Sequence, residues 1–427
     1  MKRIAALWNN KFSKDVFLTA ASNIVLAGSG IIVNTIIAKH YHAAGLGSYY
    51  QSIAVYSILS IVSIFGINNY SLLKLSETSG KYNHIFYLNS SLAASIVSSV
   101  PVTAFALLFV FIIRAKLSAL AFQSLLLVLP GLPFYALNAV LLSYFNAQRL
   151  MAQYSNLQIF KAVFRIAMTW GVILLNFSIK YTLLSYLFSD ILMFMFFVKM
   201  LQNRKLLHFN FKYFFKVTQH FVFGYKTLLV SAVGELSEKM DVLVIGYFLN
   251  QYQVGVFSMA STIAKGMLVL FSSVQTNFNP VISRLKSGKP GELQAALTKI
   301  RNINFLIACG VFLIAAIAFP IYVHLFLDSS FNYSIKVYYV LLSGVFALSL
   351  FGYSGALFTM YGMPEVQLKI VSFSLLLNLI VNIALIKSFG IMGAAIATAV
   401  SYIFSVLLLN FYARKYIGVS LFKISDK

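Results

Sequence analysis

Long stretches of the chain contain no Asp, Glu, Lys or Arg, and they constrain the fold more than any other feature. They include residues 16–38, 85–113, 117–148, 302–327, 337–364 and 388–413. Each is longer than the roughly 20 residues that an α-helix needs to cross the hydrocarbon core of a bilayer. Charged residues make up only 10% of the chain, whereas soluble globular proteins contain about a quarter. The sequence therefore predicts an all-α, multi-pass integral membrane protein.

Further apolar stretches raise the expected number of transmembrane helices to about twelve. The predicted spans are residues 16–38, 48–70, 85–113, 118–146, 155–177, 180–201, 223–249, 256–282, 301–327, 334–361, 367–388 and 391–413. They form two six-helix lobes, residues 1–201 and 223–413. A basic cytoplasmic segment at 202–222 joins the lobes, and a cytoplasmic tail follows at 414–427.

The net charge of +23 is explained by the positive-inside rule, which concentrates Lys and Arg in cytoplasmic loops. With a cytoplasmic N-terminus, about two-thirds of the 33 Lys and Arg fall on that side of the membrane. We therefore expect both termini in the cytoplasm. Nucleic acid is not expected as a partner, because this asymmetry already accounts for the charge.

The two halves share short matches at an offset of 208 residues, which indicates an internal repeat. Residues 47–50 (Gly-Ser-Tyr-Tyr) open the second predicted helix, and residues 255–258 (Gly-Val-Phe-Ser) open the eighth. Asn-Tyr at 69–70 and Asn-Phe at 277–278 close the same two helices. Six helices per half give both copies the same orientation, related by an axis along the membrane normal. Transporters built in this way bind their substrate between the halves and alternate access by rocking.

Several kinds of chemistry are absent from the sequence. No phosphate-binding loop of the G-x-x-x-x-G-K-[ST] type occurs, and the six histidines show no metal-binding spacing. Cys309 is the only cysteine, so no intrachain disulfide can form. The loops between spans are short, whereas a membrane-embedded polymerase or glycosyltransferase is expected to have a large catalytic loop. We therefore expect no enzymatic activity, no cofactor and no metal.

Proline and glycine interrupt the fourth predicted helix at residues 130–133 (Pro-Gly-Leu-Pro). Such residues in a transmembrane helix permit either close packing or a bend. Ordinary packing is one interpretation of this cluster, and a functional bend is the other.

Several motifs resemble those of the polysaccharide-unit flippases, the Wzx-type branch of the multidrug/oligosaccharidyl-lipid/polysaccharide exporter superfamily. In the first half they are residues 43–49 (Ala-Ala-Gly-Leu-Gly-Ser-Tyr) and 65–67 (Phe-Gly-Ile). In the second half they are residues 239–249, 254–260, 279–284 (Asn-Pro-Val-Ile-Ser-Arg), 378–382 (Asn-Leu-Ile-Val-Asn) and 389–398. These motifs are shared with lipid II flippases and with more distant drug exporters.

The resemblance implies a MATE-like, V-shaped bundle of two lobes in a bacterial inner membrane. It implies a substrate of O-antigen type, an oligosaccharide on undecaprenyl pyrophosphate that moves from the cytoplasmic to the periplasmic leaflet during lipopolysaccharide biosynthesis. Antiport of protons or sodium is generally linked to this family. Membrane lipids, an O-antigen polymerase and a chain-length regulator are the implied partners.

Three ionisable residues lie deep in the fifth and sixth predicted helices, where a charge costs roughly 2.5 kcal/mol or more. Lys161 and Arg165 are four residues apart and share a helix face, and Asp190 lies at a similar depth. One hypothesis is that both cations attract the pyrophosphate, with Arg165 binding two oxygens and Asp190 neutralising it between cycles. The alternatives are a fixed Arg165–Asp190 ion pair and a Lys161 side chain that reaches the membrane interface.

The seventh and eighth predicted helices contain Glu235, Glu238, Lys239, Asp241 and Lys265. Glu235 and Glu238 are helical neighbours, and two close carboxylates favour sharing a proton, as proton coupling requires. Alternatively, Glu235 pairs with Lys239, and Asp241 has a packing or capping role. Lys265 either joins Lys239 in a cationic substrate site or pairs with Asp241.

The sequence leaves a rival function open, a drug or cation exporter or a lipid II flippase of the same superfamily. A cationic substrate would prefer an acidic cavity, and basic residues slightly outnumber acidic ones inside the predicted spans. The family-like motifs favour the polysaccharide-unit flippase more than the charges do.

Overall fold

The computed structural model of the chain describes residues 11–78, 80–207, 210, 213, 217–285, 290–355 and 357–422. All regular secondary structure in these residues is helical. The α-helices are α1 (Lys11–Ile64), α2 (Ile67–Glu77), α3 (Lys81–Ile112), α4 (Ala119–Val128), α5 (Leu132–Ala147), α6 (Met151–Leu174), α7 (Leu184–Asn203), α8 (Val217–Phe248), α9 (Gln251–Leu285), α10 (Pro290–Phe326), α11 (Asn332–Leu350), α12 (Leu357–Met360) and α13 (Pro364–Ile417). In the described residues, 3₁₀ helices lie between them at Ile113–Lys116, Leu129–Gly131, Ile179–Leu183, Ser329–Phe331 and Gly352–Ser354.

The two longest helices, α1 and α13, are each a hairpin of two antiparallel helices. In α1 only His42 leaves helical geometry (φ 56°, ψ −171°), and Asn34 Nδ2 donates to Tyr50 Oη at 2.5 Å. A straight helix would separate these two residues by about 24 Å, so the chain must reverse direction between them. The reversal agrees with the predicted boundary between the spans that end at 38 and begin at 48, and one non-helical residue, His42, makes the turn.

The same argument applies to α13, where Gly390 is the non-helical residue (φ 57°, ψ −139°). Asn378 Nδ2 lies 3.5 Å from Thr398 Oγ1, although a straight helix would place them about 30 Å apart. The reversal agrees with the predicted boundary between spans at 388 and 391.

Two predicted spans end earlier than expected. The second does not continue to residue 70, because Phe65 and Gly66 adopt positive φ angles of 52° and 69° and separate α1 from α2. The tenth does not continue to residue 361, because α11 ends at Leu350 and a 3₁₀ turn follows. The buried Asn304 of α10 donates to the backbone carbonyls of Ser349 and Leu350 at 2.8 and 3.0 Å. It thereby satisfies two acceptors that the end of the helix leaves free.

Nine helices in the described residues are long and apolar enough to cross a membrane, and they include both hairpins as single helices. The multi-pass membrane protein that the sequence predicted is confirmed. The helix α8 is not among the nine, although its 32 residues equal the length of α3. It contains Lys226, Glu235, Glu238, Lys239 and Asp241, which lower its hydropathy.

The chain divides into two compact units. The first contains Met1–Tyr41 and Ser48–Glu235, and the second contains His42–Gly47 and Leu236–Lys427. Buried side chains of α3, α5 and α7, such as Leu88, Phe145 and Phe197, form a core cluster in the first unit. The lobe limits at residues 201 and 223 remain predictions, and residues 208, 209, 211, 212 and 214–216 of the joint lie outside the described part of the chain.

Two glycines at the repeat offset pack against each other within the second unit. A Cβ on Gly47 would collide with the Gln251 carbonyl and lie 2.9 Å from Gly255 N. A Cβ on Gly255 would collide with the Ala43 carbonyl and lie 3.0 Å from Gly47 N. Ala43 and Gln251 are themselves separated by 208 residues, so exchanging the repeats maps the contact onto itself. The reciprocity supports the internal repeat, and only glycine permits this backbone approach.

An ion pair outside the apolar spans connects the α1 turn to the α10–α11 connection within the second unit. His42 Nδ1 lies 2.5 Å from Asp328 Oδ2, and Ser330 donates to Asp328 Oδ1 from its backbone nitrogen at 2.9 Å and from its hydroxyl. Partial burial raises the pKa of Asp328, but the hydrogen bonds from Ser330 and His42 outweigh it and hold the pKa below the ordinary 3.8.

Candidate functional site

Lys161 of α6 and Asp190 of α7 form a buried ion pair inside the first unit. The Lys161 ammonium contacts Asp190 Oδ1, and the two residues are 8% and 0% exposed. The side chain of Lys161 therefore points into the unit and does not extend to the interface. Removing either partner of such a buried pair destabilises the fold, because it leaves the other charge uncompensated.

Asn138 of α5 holds the same carboxylate from a third helix. Its amide donates to the Asp190 carbonyl at 2.8 Å and to Asp190 Oδ1 at 3.3 Å. Oδ1 thus accepts from both Lys161 and Asn138, whereas the buried Oδ2 has no hydrogen-bond partner among the described residues. Buried polar atoms nearly always form hydrogen bonds, so Asp190 Oδ2 can accept a further hydrogen bond.

Arg165 lies one turn beyond Lys161 on α6, and its charge is not neutralised. Its guanidinium carbon is 3.8 Å from the centroid of the Tyr186 ring, and its Nε donates to Ser189 Oγ at 3.3 Å. No carboxylate of the described residues forms a salt bridge with it, because Asp190 pairs with Lys161 instead. The side chain is half-buried. Stacking on Tyr186 therefore holds the Arg165 guanidinium in place, and its positive charge is available to bind an anion.

Four tyrosines from three helices surround these charges. Tyr56 makes edge contacts with Tyr135 and Tyr186, at centroid distances of 6.4 and 6.0 Å. The Tyr49 hydroxyl is 3.5 Å from the Tyr186 hydroxyl, and the Lys161 ammonium is 5.2 Å from the Tyr135 centroid. Tyr49 and Tyr56 are buried, whereas Tyr135 and Tyr186 are half-buried. These four residues, the tyrosine wall, border both cations.

At the Pro-Gly-Leu-Pro segment, residues 130–133, the helix tightens to the 3₁₀ turn Leu129–Gly131 between α4 and α5 while its backbone stays helical. The close approach of α7 there fits the packing interpretation, because a Cβ on Gly131 would lie 3.1 Å from Leu187 Cδ1. Tyr135 and Asn138 follow within two turns. A functional bend at this segment stays a prediction.

The second unit contains a different charged cluster, centred on Asp241 of α8. Asp241 is 1% exposed, and its Oδ2 lies 3.2 Å from the Lys265 ammonium of α9. Its Oδ1 accepts from Asn378 at 3.2 Å and Asn382 at 3.0 Å, both on α13. Both carboxylate oxygens are therefore bonded, and the Lys265 ammonium also donates to the Glu238 carbonyl at 3.3 Å. Of the two alternatives for Lys265, the structure shows the pair with Asp241.

The remaining predicted residues lie on α8. Glu235 and Lys239 are half-buried and Glu238 is exposed. The structure brings Glu238 to Lys265 only through its backbone carbonyl. Ion coupling by Glu235 or Glu238 and substrate binding by Lys239 stay predictions. No group of three or more His, Cys, Asp or Glu that could hold a metal occurs among the described residues.

Comparison with known proteins assigns the chain to a family. The model of the polysaccharide biosynthesis protein family matches residues 45–336, which is more than half of the chain. The chain belongs to this family. The family-level resemblance of the sequence motifs is thereby confirmed, and the match covers Lys161, Arg165, Asp190, Asp241 and Lys265.

Two curated relatives match this member of the family over part of its length. It is 25% identical over 201 residues to the probable low-salt glycan biosynthesis flippase Agl15 of Haloferax volcanii, covering 46% of this chain and 43% of the relative. It is 26% identical over 186 residues to an uncharacterized membrane protein of Methanocaldococcus jannaschii, covering 43% of each. The chain thus spans less than half the length of the curated relatives it matches.

Solved structures with the same fold include flippases and exporters. The lipid II flippase MurJ in an inward closed conformation superimposes with a TM-score of 0.76 at 19% identity, over 93% of this chain and 87% of that one. An inward-facing multidrug resistance MATE family transporter of the MOP superfamily gives 0.77 at 14% identity, over 92% and 94%. These likenesses establish the all-α, MATE-like fold.

The sequence did not indicate the roles of the amides and tyrosines of the two clusters. Asn138 carries no charge and looks like a packing residue in an apolar helix, whereas Asn378 and Asn382 belong to a family-like motif, residues 378–382, to which no role was assigned. One signal was available: Asn378 and Asn382 are four residues apart, which places both on one helix face. The tyrosine wall could not be distinguished among the 25 tyrosines of the chain.

Proposed function

We propose that this protein is a flippase that moves lipid-linked glycans across a membrane, and that Arg165 binds the phosphate of the lipid carrier. The observation that carries the proposal is the half-buried Arg165 guanidinium, stacked on Tyr186 and without a carboxylate partner. Membership of the polysaccharide biosynthesis family supports the substrate class. The probable flippase among its relatives supports the reaction, which is transport without chemical conversion.

The chemistry of the site favours an anionic sugar-containing substrate over a cationic drug. A guanidinium binds phosphate through two parallel hydrogen bonds, and the half-buried rings of Tyr135 and Tyr186 offer faces on which sugars stack. A cationic ligand would be repelled by Arg165. The single buried carboxylate of this cluster, Asp190, is already neutralised by Lys161.

We propose twelve transmembrane helices in two six-helix lobes, with both termini cytoplasmic. Nine helices in the described residues are long and apolar enough to cross a membrane. The hairpins α1 and α13 each supply two crossings, and α8 supplies one more despite its charged residues. The reciprocal contact of Gly47 with Gly255 supports a repeat of six helices.

The finer parts of the proposal rest on the resemblance of the motifs. The substrate is an O-antigen-type oligosaccharide on undecaprenyl pyrophosphate, exported across a bacterial inner membrane by proton- or sodium-coupled alternating access. Glu235 and Glu238 are the candidate coupling carboxylates, and Lys239 is a candidate second cation for the substrate. An O-antigen polymerase and a chain-length regulator are the proposed partners.

The test is complementation of a bacterial strain that lacks its own O-antigen-unit flippase. Wild type is compared with Arg165→Ala, Arg165→Lys and Arg114→Ala at equal membrane levels. Arg114 is the matched control, because its guanidinium also lies over an aromatic ring, 5.1 Å from Phe122, but it is exposed and outside the cluster. We expect rescue by wild type, Arg165→Lys and Arg114→Ala, and loss of rescue with Arg165→Ala.

Two other outcomes contradict parts of the proposal. Rescue by Arg165→Ala would remove Arg165 from the mechanism and leave the flippase function standing. Failure of wild type in several O-antigen backgrounds, together with drug resistance on expression, would favour an exporter.

A further inference from the structure

We propose that a diphosphate bound at Arg165 draws Lys161 away from Asp190, and that Asp190 then takes up a proton. The inference rests on the proposed function, because it takes a lipid diphosphate as the ligand. It assigns to the buried Lys161–Asp190 pair a role in linking substrate binding to proton uptake.

The geometry allows both cations to reach one diphosphate. Lys161 and Arg165 are one turn apart on the same face of α6, so their Cβ atoms are about 5–6 Å apart. The Lys161 ammonium lies over Tyr135 and the Arg165 guanidinium over Tyr186. Both rings contact Tyr56. A diphosphate bound at Arg165 is therefore within one helical turn of Lys161 on the same helix face.

The energetics then determine what happens to Asp190. Once the Lys161 ammonium bonds to a phosphate oxygen, only the Asn138 amide still donates to the carboxylate. A buried carboxylate without a cation is costly, and such groups neutralise by binding a proton. The free position is Asp190 Oδ2, which is buried and has no hydrogen-bond partner in the part of the chain that the structure describes. One proton from water binds there, Lys161 keeps its own, and no existing hydrogen bond has to break for the proton to enter.

The other titratable groups around Asp190 are tyrosines, the two cations and one more distant carboxylate. Tyr56 of α1 and Tyr135 of α5 interact electrostatically with Asp190, and Arg165 of α6 and Glu235 of α8 interact with Tyr135. Tyrosine and arginine do not exchange protons near neutral pH. Glu235 is therefore the alternative proton acceptor, and the experiment has to separate it from Asp190.

The experiment is infrared difference spectroscopy of the purified full-length protein in detergent, with and without farnesyl diphosphate, and with farnesol as the uncharged control. We expect farnesyl diphosphate to produce the carbonyl band of a protonated carboxyl group. Proton uptake, measured with a pH indicator in weak buffer, should be about one proton per ligand bound. The band should be absent in Asp190→Asn and retained in Glu235→Gln.

Lys161→Met supplies an independent variant. Its Asp190 lacks a cation from the start, so the carboxyl band should be present before ligand is added. Its affinity for farnesyl diphosphate should fall by about tenfold or more, as expected for the loss of a charged hydrogen bond.

The outcomes separate this inference from the proposed function. Saturable binding by wild type without a carboxyl band or proton uptake would overturn the inference and leave the diphosphate site standing. A band that persists in Asp190→Asn and disappears in Glu235→Gln would also overturn it. An absence of saturable diphosphate binding by wild type would contradict the proposed function itself.

Discussion

Removing the charge of Asp241 alone should destabilise the protein more than removing both charges of the Asp241–Lys265 pair. In Asp241→Asn the Lys265 ammonium loses its carboxylate partner in a buried position, where breaking an ion pair costs about 3–5 kcal/mol. In Asp241→Asn/Lys265→Met no charge remains, and the cost is that of weakened hydrogen bonds to Asn378 and Asn382, about 1–2 kcal/mol. The double variant should therefore be the more stable by about 2–3 kcal/mol.

The assay is equilibrium unfolding by titration of SDS into mixed micelles, with helix loss followed by circular dichroism. Lys265→Met completes the double-mutant cycle, which isolates the interaction of the pair from the cost of each substitution. The matched control is the ion pair of Lys74 with Glu77, which at 2.9 Å is shorter than the 3.2 Å of Asp241 with Lys265 but exposed to solvent. Lys74→Ala should produce no measurable change, because exposed ion pairs contribute little.

One result would refute the reasoning. If the costs of Asp241→Asn and Lys265→Met simply add in the double variant, the two charges do not stabilise each other. Lys265 would then be available to a substrate, as the alternative interpretation of the sequence held.

Three further predictions test the fold and one surface pair. Gly255→Ala should lower the free energy of unfolding by about 2 kcal/mol or more, because its Cβ meets backbone, whereas Gly310→Ala, with open space around it, should not. The lowered pKa of Asp328 predicts stability that is present above pH 3.8 and lost as pH falls through the folded-state pKa; Asp328→Asn should flatten this dependence in acid unfolding. Cysteines replacing Asn34 and Tyr50 in a cysteine-free background should be joined by a thiol-reactive cross-linker much shorter than the about 24 Å that a straight helix would place between them.

The transmembrane helices could be predicted because burial in a bilayer requires long apolar runs, and composition alone reveals them. The positions of the two hairpin turns were also indicated, between residues 38 and 48 and between 388 and 391, but a turn made by a single residue was not. Residues 39–47 include Lys39, His40 and His42 and look like a polar loop, yet the backbone remains helical up to and directly after His42. A turn made by one residue leaves no compositional signal, since polar residues at a helix end are as common as polar residues in a loop.

The positions of the charges in the first unit were predictable, but their pairing was not. Lys161 and Arg165 were expected on one face of α6 opposite Asp190, and the structure places them there. Which cation pairs depends on the register of α6 against α7, where Ser189 and Asp190 are adjacent. A shift of α6 by one helical turn would bring Arg165 to Asp190 in place of Lys161. The sequence does not determine this register. Asn138 adds a bond from α5 that charge patterns cannot show.

The difference between the two buried aspartates indicates which unit can change its pairing during transport. Asp241 accepts hydrogen bonds at both oxygens, from Lys265, Asn378 and Asn382, so releasing Lys265 would forfeit a bond that nothing nearby replaces. Within the described residues, Asp190 already has an oxygen without a partner, and its cation lies one turn from Arg165, which forms no salt bridge there. An anion that binds at Arg165 therefore competes with Asp190 for Lys161. A proton that binds to Asp190 offsets the cost of losing that cation. The pair in the second unit holds helices together, and the pair in the first is the one a substrate can open.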